Sequence, residues 1–433
     1  MYLVRITDNS SQTVTLSGQQ SPVLGVTYFP TPGDEETVTE TAIIVCEGAA
    51  SAIQNAVNDI ERLLNDATNR TDLLTNKVYV EASVTGASST YRSEVLGGRV
   101  EWSQTPGRHK LDATTNQVEL AVIWTRRNYW EASIENEVFL SSGTLSERTG
   151  GVDVYNNDNA SSSTNWVGIA SNRIAGVLPT PLRLRILNTS GSAIAPRNYY
   201  IALNANSSPA SMDCWLLGSE ANGGASASWG AGGINYGNTP SFIFPLSNTL
   251  LGQAQGRAFR VLAAFSSVSG GPALRAGVYS SIGGVYAPLV LGREINNSNN
   301  NELVDLGAFP IPPGGYNQST TAAALIIAAR AAGAGALTMD FTQLMATDAF
   351  RRIEQIGYNT SNNEGVEDDG MSGGVYYWDG TNKFPIVKSY YAPVLVYPGK
   401  AQRLYILFDE GTDFVAGRKM QVRAFYRPRV RTI

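Results

Sequence analysis

A single segment limits what this chain can fold into. Between Thr37 and Val84 it reads strand, helix, strand, and here lies its one convincing amphipathic helix. Thr37 to Cys46 alternates polar and apolar residues and then becomes wholly apolar, the pattern of a half-buried strand passing into a core. From Ala49 to Asn69, Ile53, Ala56, Val57, Ile60, Leu63, Leu64 and Ala67 recur at spacings of three and four, which places them on one stripe of a helix. Asn55, Asn58, Asp59, Arg62 and Asn65 take the other face. Asn76 to Val84 returns to a period of two, with Val78, Val80 and Ala82 on one side. The segment predicts a helix of about 30 Å lying across one face of a sheet that flanking residues complete. No residue on that scaffold suggests catalysis.

The rest of the chain has to supply the sheets. Its charged fraction of 16% is low against the usual quarter, so the polar surface must come from Ser, Thr, Asn and Gly. With 43 glycines, 20 tyrosines and many short valine-rich runs, a mainly β protein with frequent turns is expected. A length of 433 residues predicts two or three domains. The net charge of −5 supplies no basic field to draw in nucleic acid or an anionic membrane. Apolar runs stay short of a membrane span: the longest, Thr321 to Leu337, is rich in Ala and Gly and broken by Arg330. The N-terminal residues lack a charged region followed by an apolar core, so a soluble protein made inside a cell is expected.

In chain order, Tyr2 to Thr7 and Gln12 to Ser17 read as a first strand pair, and Tyr91 to Gln104 as a hairpin turning at Gly97-Gly98. Val118 to Trp130 is a long strand, and the first domain is expected to span residues 1–140. Residues 141–165, rich in Ser, Gly, Asn and Thr, read as a linker. Residues 166–433 then alternate strands with polar loops. Leu182 to Leu187 pairs with Tyr199 to Leu203, Phe259 to Phe265 with Leu274 to Tyr279, Ala323 to Ala329 with Leu337 to Leu344, and Leu404 to Phe408 with Met420 to Tyr426. Together they predict one large jelly-roll-type sandwich. Asn204 to Asn238 and Asn359 to Gly374 read as long loops.

Chemistry is sparse. The single histidine, His109, sits in a turn-like stretch with no nucleophile or orienting carboxylate proposed by any motif, and reads as a solvated loop residue. Nucleophile-elbow, phosphate-loop, zinc-helix and paired-cysteine motifs are absent. Cys46 and Cys214 read as buried apolar residues. The acidic run Glu364 to Asp369 could offer oxygens to calcium, but it lacks the alternating order of a calcium loop and reads as solvated. Asp34, Glu35 and Glu36 read as a turn and a strand start. The expectation is therefore no enzyme, no cofactor and no metal. Trp215, Trp229 and Trp378, with Tyr236, Tyr376 and Tyr377, lie on or beside the long loops, where aromatic platforms could hold carbohydrate. Arg427, Arg429 and Arg431 form a short basic tail suited to an acidic surface on a neighbouring subunit.

The order of elements through Thr37 to Cys46, the helix, Val78 to Ala82, Tyr91 to Val100 and the strand ending Trp124-Thr-Arg-Arg-Asn-Tyr-Trp130 resembles the tail-tube-like domain of tailed bacteriophages. That domain occurs in tail tube and distal tail proteins. Val304 to Pro313, Pro398 to Phe408 and Ala424 to Arg429 look like closing strands of jelly-roll domains appended to such proteins. The resemblance implies a tail-tube-like β domain with one packed helix, followed by a jelly roll. It also implies a virion protein whose subunits join edge to edge into rings that stack as a conduit for DNA. Its partners would then be itself and other tail proteins, with DNA as non-specific cargo and no membrane. The alternative is a carbohydrate-binding, host-adhesion module on a virion or cell surface. The second region is large for a simple tube subunit.

Overall fold

The computed structural model describes the chain apart from residues 1, 9–11, 18–21, 34, 74–75, 85–88, 103–108, 111–115, 144, 157–163, 207–213, 237–240, 255, 298–301, 314–315, 318–320, 356–358, 386 and 411–416. The protein is mainly β, in two compact units. The first comprises Met1–Asn136, Ala175–Leu178 and Arg427–Ile433, and the second comprises Glu137–Ile174 and Pro179–Tyr426. Along the chain, the second unit is an insertion within the first.

The first unit contains β1 (Tyr2–Thr7), β2 (Thr13–Thr15), β3 (Val23–Thr27), β4 (Thr37–Gly48), α1 (Ala50–Leu73), β5 (Val78–Val84), β6 (Tyr91–Trp102), β7 (His109–Lys110), β8 (Asn116–Arg127) and β9 (Trp130–Ala132). Its main sheet runs β2-β1-β5-β6-β8-β4-β3. The amphipathic stripe behaves as its spacing requires. Ile53, Val57, Ile60, Leu63 and Leu64 are buried against Ala42, Ile44, Val80, Val122 and Trp124 from the sheet, while Asn55, Asn58, Arg62 and Asn65 stay exposed. In the same core the fully buried Arg126 guanidinium donates to both Glu40 oxygens, at 2.8 and 2.6 Å, and lies 4.5 Å over Trp130. Tyr28 Oη and the Thr31 amide also donate to Glu40. The pair is thus buried with its hydrogen bonds satisfied, the condition under which ionic groups are tolerated in a core.

Gly97-Gly98 does not turn the chain: β6 continues through it as one strand. A register shift between Val95 and Gly97 bulges β6 against β8. A side chain at 97 would meet Thr68 of α1, and one at 98 would collide with the Ile123 carbonyl and touch Leu64. The glycines let helix and sheet approach each other, one of the uses a glycine has inside a strand.

The second unit holds two jelly rolls, not one. The outer roll uses β10 (Val152–Tyr155), β11 (Trp166–Ile169), β12 (Arg183–Asn188) and β13 (Asn198–Asn206). The inner roll follows with β14 (Trp215–Leu217), β15 (Ser241–Pro245), β16 (Ala258–Ser269), β17 (Ala273–Ile282), β18 (Val285–Leu291), β19 (Glu302–Pro310), β20 (Thr321–Arg330) and β21 (Gly335–Ala346). The chain then completes the outer roll with β22 (Phe350–Glu354), β23 (Gly365–Asp369), β24 (Ala401–Asp409) and β25 (Lys419–Tyr426). The outer roll pairs β10-β25-β12-β23 in one sheet and β11-β24-β13-β22 in the other, and the inner roll pairs β14-β21-β16-β19 and β15-β20-β17-β18. Both have the same strand order, first-eighth-third-sixth facing second-seventh-fourth-fifth, the double Greek key of a jelly roll. The inner roll is inserted between the fourth and fifth strands of the outer one.

This topology corrects the four strand pairs expected from sequence. In each, the two strands lie in opposite sheets: β12 and β13, β16 and β17, β20 and β21, β24 and β25. They face each other through a core instead of sharing a ladder. Residues 141–165 are no open linker either, because the strands Leu140–Ser142, Leu145–Arg148 and Val152–Tyr155 run through them and Val152 and Val154 are wholly buried.

The glycines in β6 give a direct check. Gly98→Ala should lower unfolding stability by about 1–3 kcal/mol. Gly252→Ala, in the helix Asn248–Ala254 with open space around a new methyl group, should be neutral or slightly stabilising. Equal denaturant midpoints for the two variants would show that the helix does not depend on that close approach.

Candidate functional site

The inner roll ends one sheet in a strand of unusual character. β17 and β18 are joined by Gly283-Gly284, both in the left-handed region with φ of 60° and 86°, as a two-residue hairpin turn requires. From Ala276 to Leu291 there is no charged residue. β18 pairs with β17 on one side and is the outermost strand of its sheet. Ile282, Val285, Leu289 and Leu291 are exposed, Val285 at 72%, while Val290 packs on the core. Pro288 and a register shift between Val278 and Tyr279 interrupt the edge, devices that moderate unwanted strand addition. Other sheet margins repeat the theme: Leu24 lies on the outermost strand of the first unit, Phe29 lies just beyond it, and Phe384 and Tyr390 sit on outer strands of the outer roll.

The acidic run Glu364 to Asp369 is neither a calcium loop nor a solvated loop. It forms β23, with Glu367 and Asp368 buried. Glu367 accepts hydrogen bonds from Arg183 at 3.0 Å and Arg185 at 2.6 Å and is ion-paired with Lys383. Burial alone would raise its pKa; the hydrogen bonds and charges of Lys383, Arg185 and Arg183 hold it below the usual carboxylate value. Asp368 pairs with the buried Arg351 at 2.5 Å. There desolvation outweighs the guanidinium, and the carboxyl is pushed up to about 6. Glu364 accepts the Tyr377 hydroxyl. All of these groups are engaged in holding strands together.

In the first unit, one row of side chains crosses five strands through the register pairs Arg5–Glu81, Glu81–Arg92, Arg92–Glu131 and Glu131–Arg429. Arg5 is ion-paired with Glu81, Arg92 with Glu131 at 3.1 Å, and Arg429 with Glu131 at 3.5 Å. Arg429 also stacks 3.9 Å over Tyr129, and Arg427 donates to the carbonyls of Ala132 and Ser133. These two arginines of the basic tail therefore have partners within their own chain. The strand Arg429–Val430 pairs with β9.

Of the tryptophans proposed for carbohydrate, Trp229 and Trp378 lie on different jelly rolls. Trp378 is on the strand Gly374–Trp378 of the outer roll, with Arg185 4.0 Å over its ring. Trp229 is on the strand Ser226–Trp229 of the inner roll, packs on its core and donates Nε1–H to the Gly333 carbonyl at 2.7 Å. Trp215 begins β14, its backbone opposite Gln343; its side chain lies outside the described residues. Tyr236 lies 4.1 Å under Arg275, and Tyr376 5.6 Å from the Lys383 ammonium. His109 is in β7, its backbone opposite Val118, and its side chain, like Asp34, lies outside the described residues. Glu36 pairs with Arg127 at 2.7 Å. Cys46 and Cys214 are buried, Cys214 accepting from the Asn204 side chain at 3.0 Å, and burial pushes the Cys46 thiol up to about 11. Among the described residues no group of three or more His, Cys, Asp or Glu side chains is placed to hold a metal ion. No helix among them is long and apolar enough to cross a membrane. The charge-free run Ala276 to Leu291 was the available sequence signal for the exposed edge. Alternation alone could not say that this strand would be outermost.

No family model and no curated protein matches the chain. Two solved structures of the phage p2 baseplate in its activated conformation, one with Sr and one with Ca, align over 98% of this chain and 98% of theirs. Their identities are 8% and 7%, with TM-scores of 0.24 and 0.26. A structure of infectious bursal disease virus, Gx strain, aligns over 93% of this chain and 83% of its own, at 10% identity and a TM-score of 0.17. These weak neighbours come from viral particles; likeness at this level carries no function across.

The Asp368 carboxyl sets a pH test. Its folded pKa lies above its unfolded one, so the stability it contributes is complete below about pH 4 and is lost as pH rises through about 6. The stability difference between the native chain and Asp368→Asn should change across that window in denaturant titrations at stepped pH. Parallel curves would mean that Asp368 ionises at its ordinary value.

Proposed function

We propose that this chain is a structural subunit of a phage particle, of tail-tube or distal-tail type, acting by self-assembly and not by catalysis. The observation that carries the reading is the concentration of exposed large apolar side chains at sheet margins, above all Val285, Leu289 and Leu291 on β18 and Leu24 on β3. Clustered exposed apolar surface of this kind marks interaction sites. The main sheet of the first unit ends in two different strands, β2 and β3. Joining two different edges between successive copies is a heterologous contact, which closes into a ring when the rotation allows. Stacked rings would provide a conduit for DNA as passing cargo, and other tail proteins would be further partners. Carbohydrate adhesion through Trp229 and Trp378 has less support, since an intramolecular partner already occupies a face or the indole N–H of each.

Negative-stain microscopy and light scattering of the purified full chain should show rings or short tubes with a central channel. Leu289→Lys and Leu24→Lys, at exposed positions, should leave the unfolding temperature within a degree or two of the parent, since surface changes are usually within about 0.5 kcal/mol. At least one of them should shift the protein toward monomer. A parent that stays monomeric at about 100 μM, a concentration well above the Kd of stable assemblies, would refute the proposal.

A further inference from the structure

The first unit contains a cleft that the assembly reading does not use. It has a volume of about 240 Å³ and lies over β1, between β2 and β5, lined by Leu3, Arg5, Thr15, Glu81, Ser83 and Thr90 among others. Ile6, Val80 and Ala82, at alternate positions, are buried in the core with α1, so by the period of two Leu3, Arg5, Glu81 and Ser83 stand on the opposite face of the sheet, and the buried Val4 and Ser17 complete the lining. Its wall is a register row: Thr15, Arg5 and Glu81 stand side by side on three strands, with Leu3 opposite Ser83 in the next row but one.

The chemistry of that wall narrows what could occupy it. Glu81 is almost wholly buried, its side chain 5% exposed, whereas Arg5 is 52% exposed, and Arg5 Nε donates to Glu81 Oε2. Together the two make the formal charge of the lining zero. What it does offer is a carboxylate able to accept several hydrogen bonds, a guanidinium with N–H groups to give, and hydroxyls that do both. Beside them, Leu3 is 52% exposed and supplies an apolar surface. At about 240 Å³ the space is below the range of about 300–1,000 Å³ typical of drug-sized sites and suits one small ring. We propose that this cleft binds a neutral saccharide residue. Its hydroxyls exchange hydrogen bonds with Glu81, Arg5 and the Thr and Ser side chains, and its C–H face lies on Leu3. The proposal is independent of the assembly reading and of the tryptophans.

The test is saturation-transfer-difference NMR on the full chain. The probes are methyl glycosides of glucose, galactose, mannose, rhamnose and N-acetylglucosamine, each at about 10 mM to suit the millimolar affinity of so small a ligand. At least one should show saturation transfer, and Glu81→Gln should weaken it about tenfold, the scale of one charge-assisted hydrogen bond. Glu81 is buried and its variant could be unstable, so Leu3→Ala, at a half-exposed position, gives a second reading and should weaken binding several-fold with unchanged melting. Trp378→Ala should leave the signal intact. Silence from all five glycosides, or binding that survives Leu3→Ala and a folded Glu81→Gln, overturns the proposal. So does displacement of the glycoside by inorganic phosphate, which would mark an anion site on Arg5.

Discussion

The second unit depends on one sheet that is buried on both faces. In β13, Tyr199, Ile201 and Leu203 belong to the core of the outer jelly roll, while Tyr200 and Ala202 belong to that of the inner one. β24 divides in the same way, with Leu404, Ile406 and Phe408 on one side and Tyr405 and Leu407 on the other. Two cores thus share a single set of backbone ladders. A slip of one residue would exchange every side chain between them, so the register β13 keeps with β24 from Asn198–Asp409 to Asn206–Ala401 is set twice over. Polar groups pin its end: the Asp409 carboxylate accepts from the Asn198 amide and side chain and from the Tyr200 hydroxyl. Asn156 meets both the N–H and the carbonyl of Phe408.

Nesting follows from the same economy. The inner roll leaves and re-enters between β13 and β22, which are themselves paired neighbours, so the insertion starts and ends at nearly one place. The outer roll in turn interrupts the first unit, whose last strand, Arg429–Val430, arrives some 300 residues after its partner β9. Loop-closure entropy grows only logarithmically with length, so such distant closure is cheap in stability and slow in time. The alternating row from Arg5 to Arg429 shows what the late strand brings: a cation for Glu131, which would otherwise share only Arg92. Tyr129 and Tyr79 provide aromatic faces for Arg429 and Arg92, so the guanidiniums are held by stacking as well as by charge.

Much of this was legible in the residues, and the exceptions share a cause. The stripe from Ile53 to Ala67 specified α1 and its buried face, because a period near 3.6 is a local property. The eight strands β12, β13, β16, β17, β20, β21, β24 and β25 were equally visible as apolar runs, whereas β10, β14 and β23 read as linker or loop. Partners were not: β12 with β13 and β24 with β25 look like hairpins in sequence, but the two strands of each pair lie in opposite sheets. A short apolar strand carries the same pattern whether its chain neighbour sits beside it or across a core. The acidic run in β23 shows the same limit, since two of the three cations that neutralise Glu367, Arg183 and Arg185, lie about 180 residues away in the chain.

By itself, then, the sequence determined the secondary structure of α1, the mainly β class and the positions of the longer apolar strands, because periodicity and turn chemistry act over a few residues. At Gly97-Gly98 it pointed to a hairpin turn that the fold does not make. Only the tertiary structure decided that these glycines admit a helix instead of turning a hairpin, and that one jelly roll sits inside another. It also decided that β18 is outermost while β13 is buried twice, and that Arg5 and Glu81 stand side by side in one cleft. Each of these depends on which distant segment comes to lie alongside, and that is fixed by the combined burial of many strands and not by any one of them.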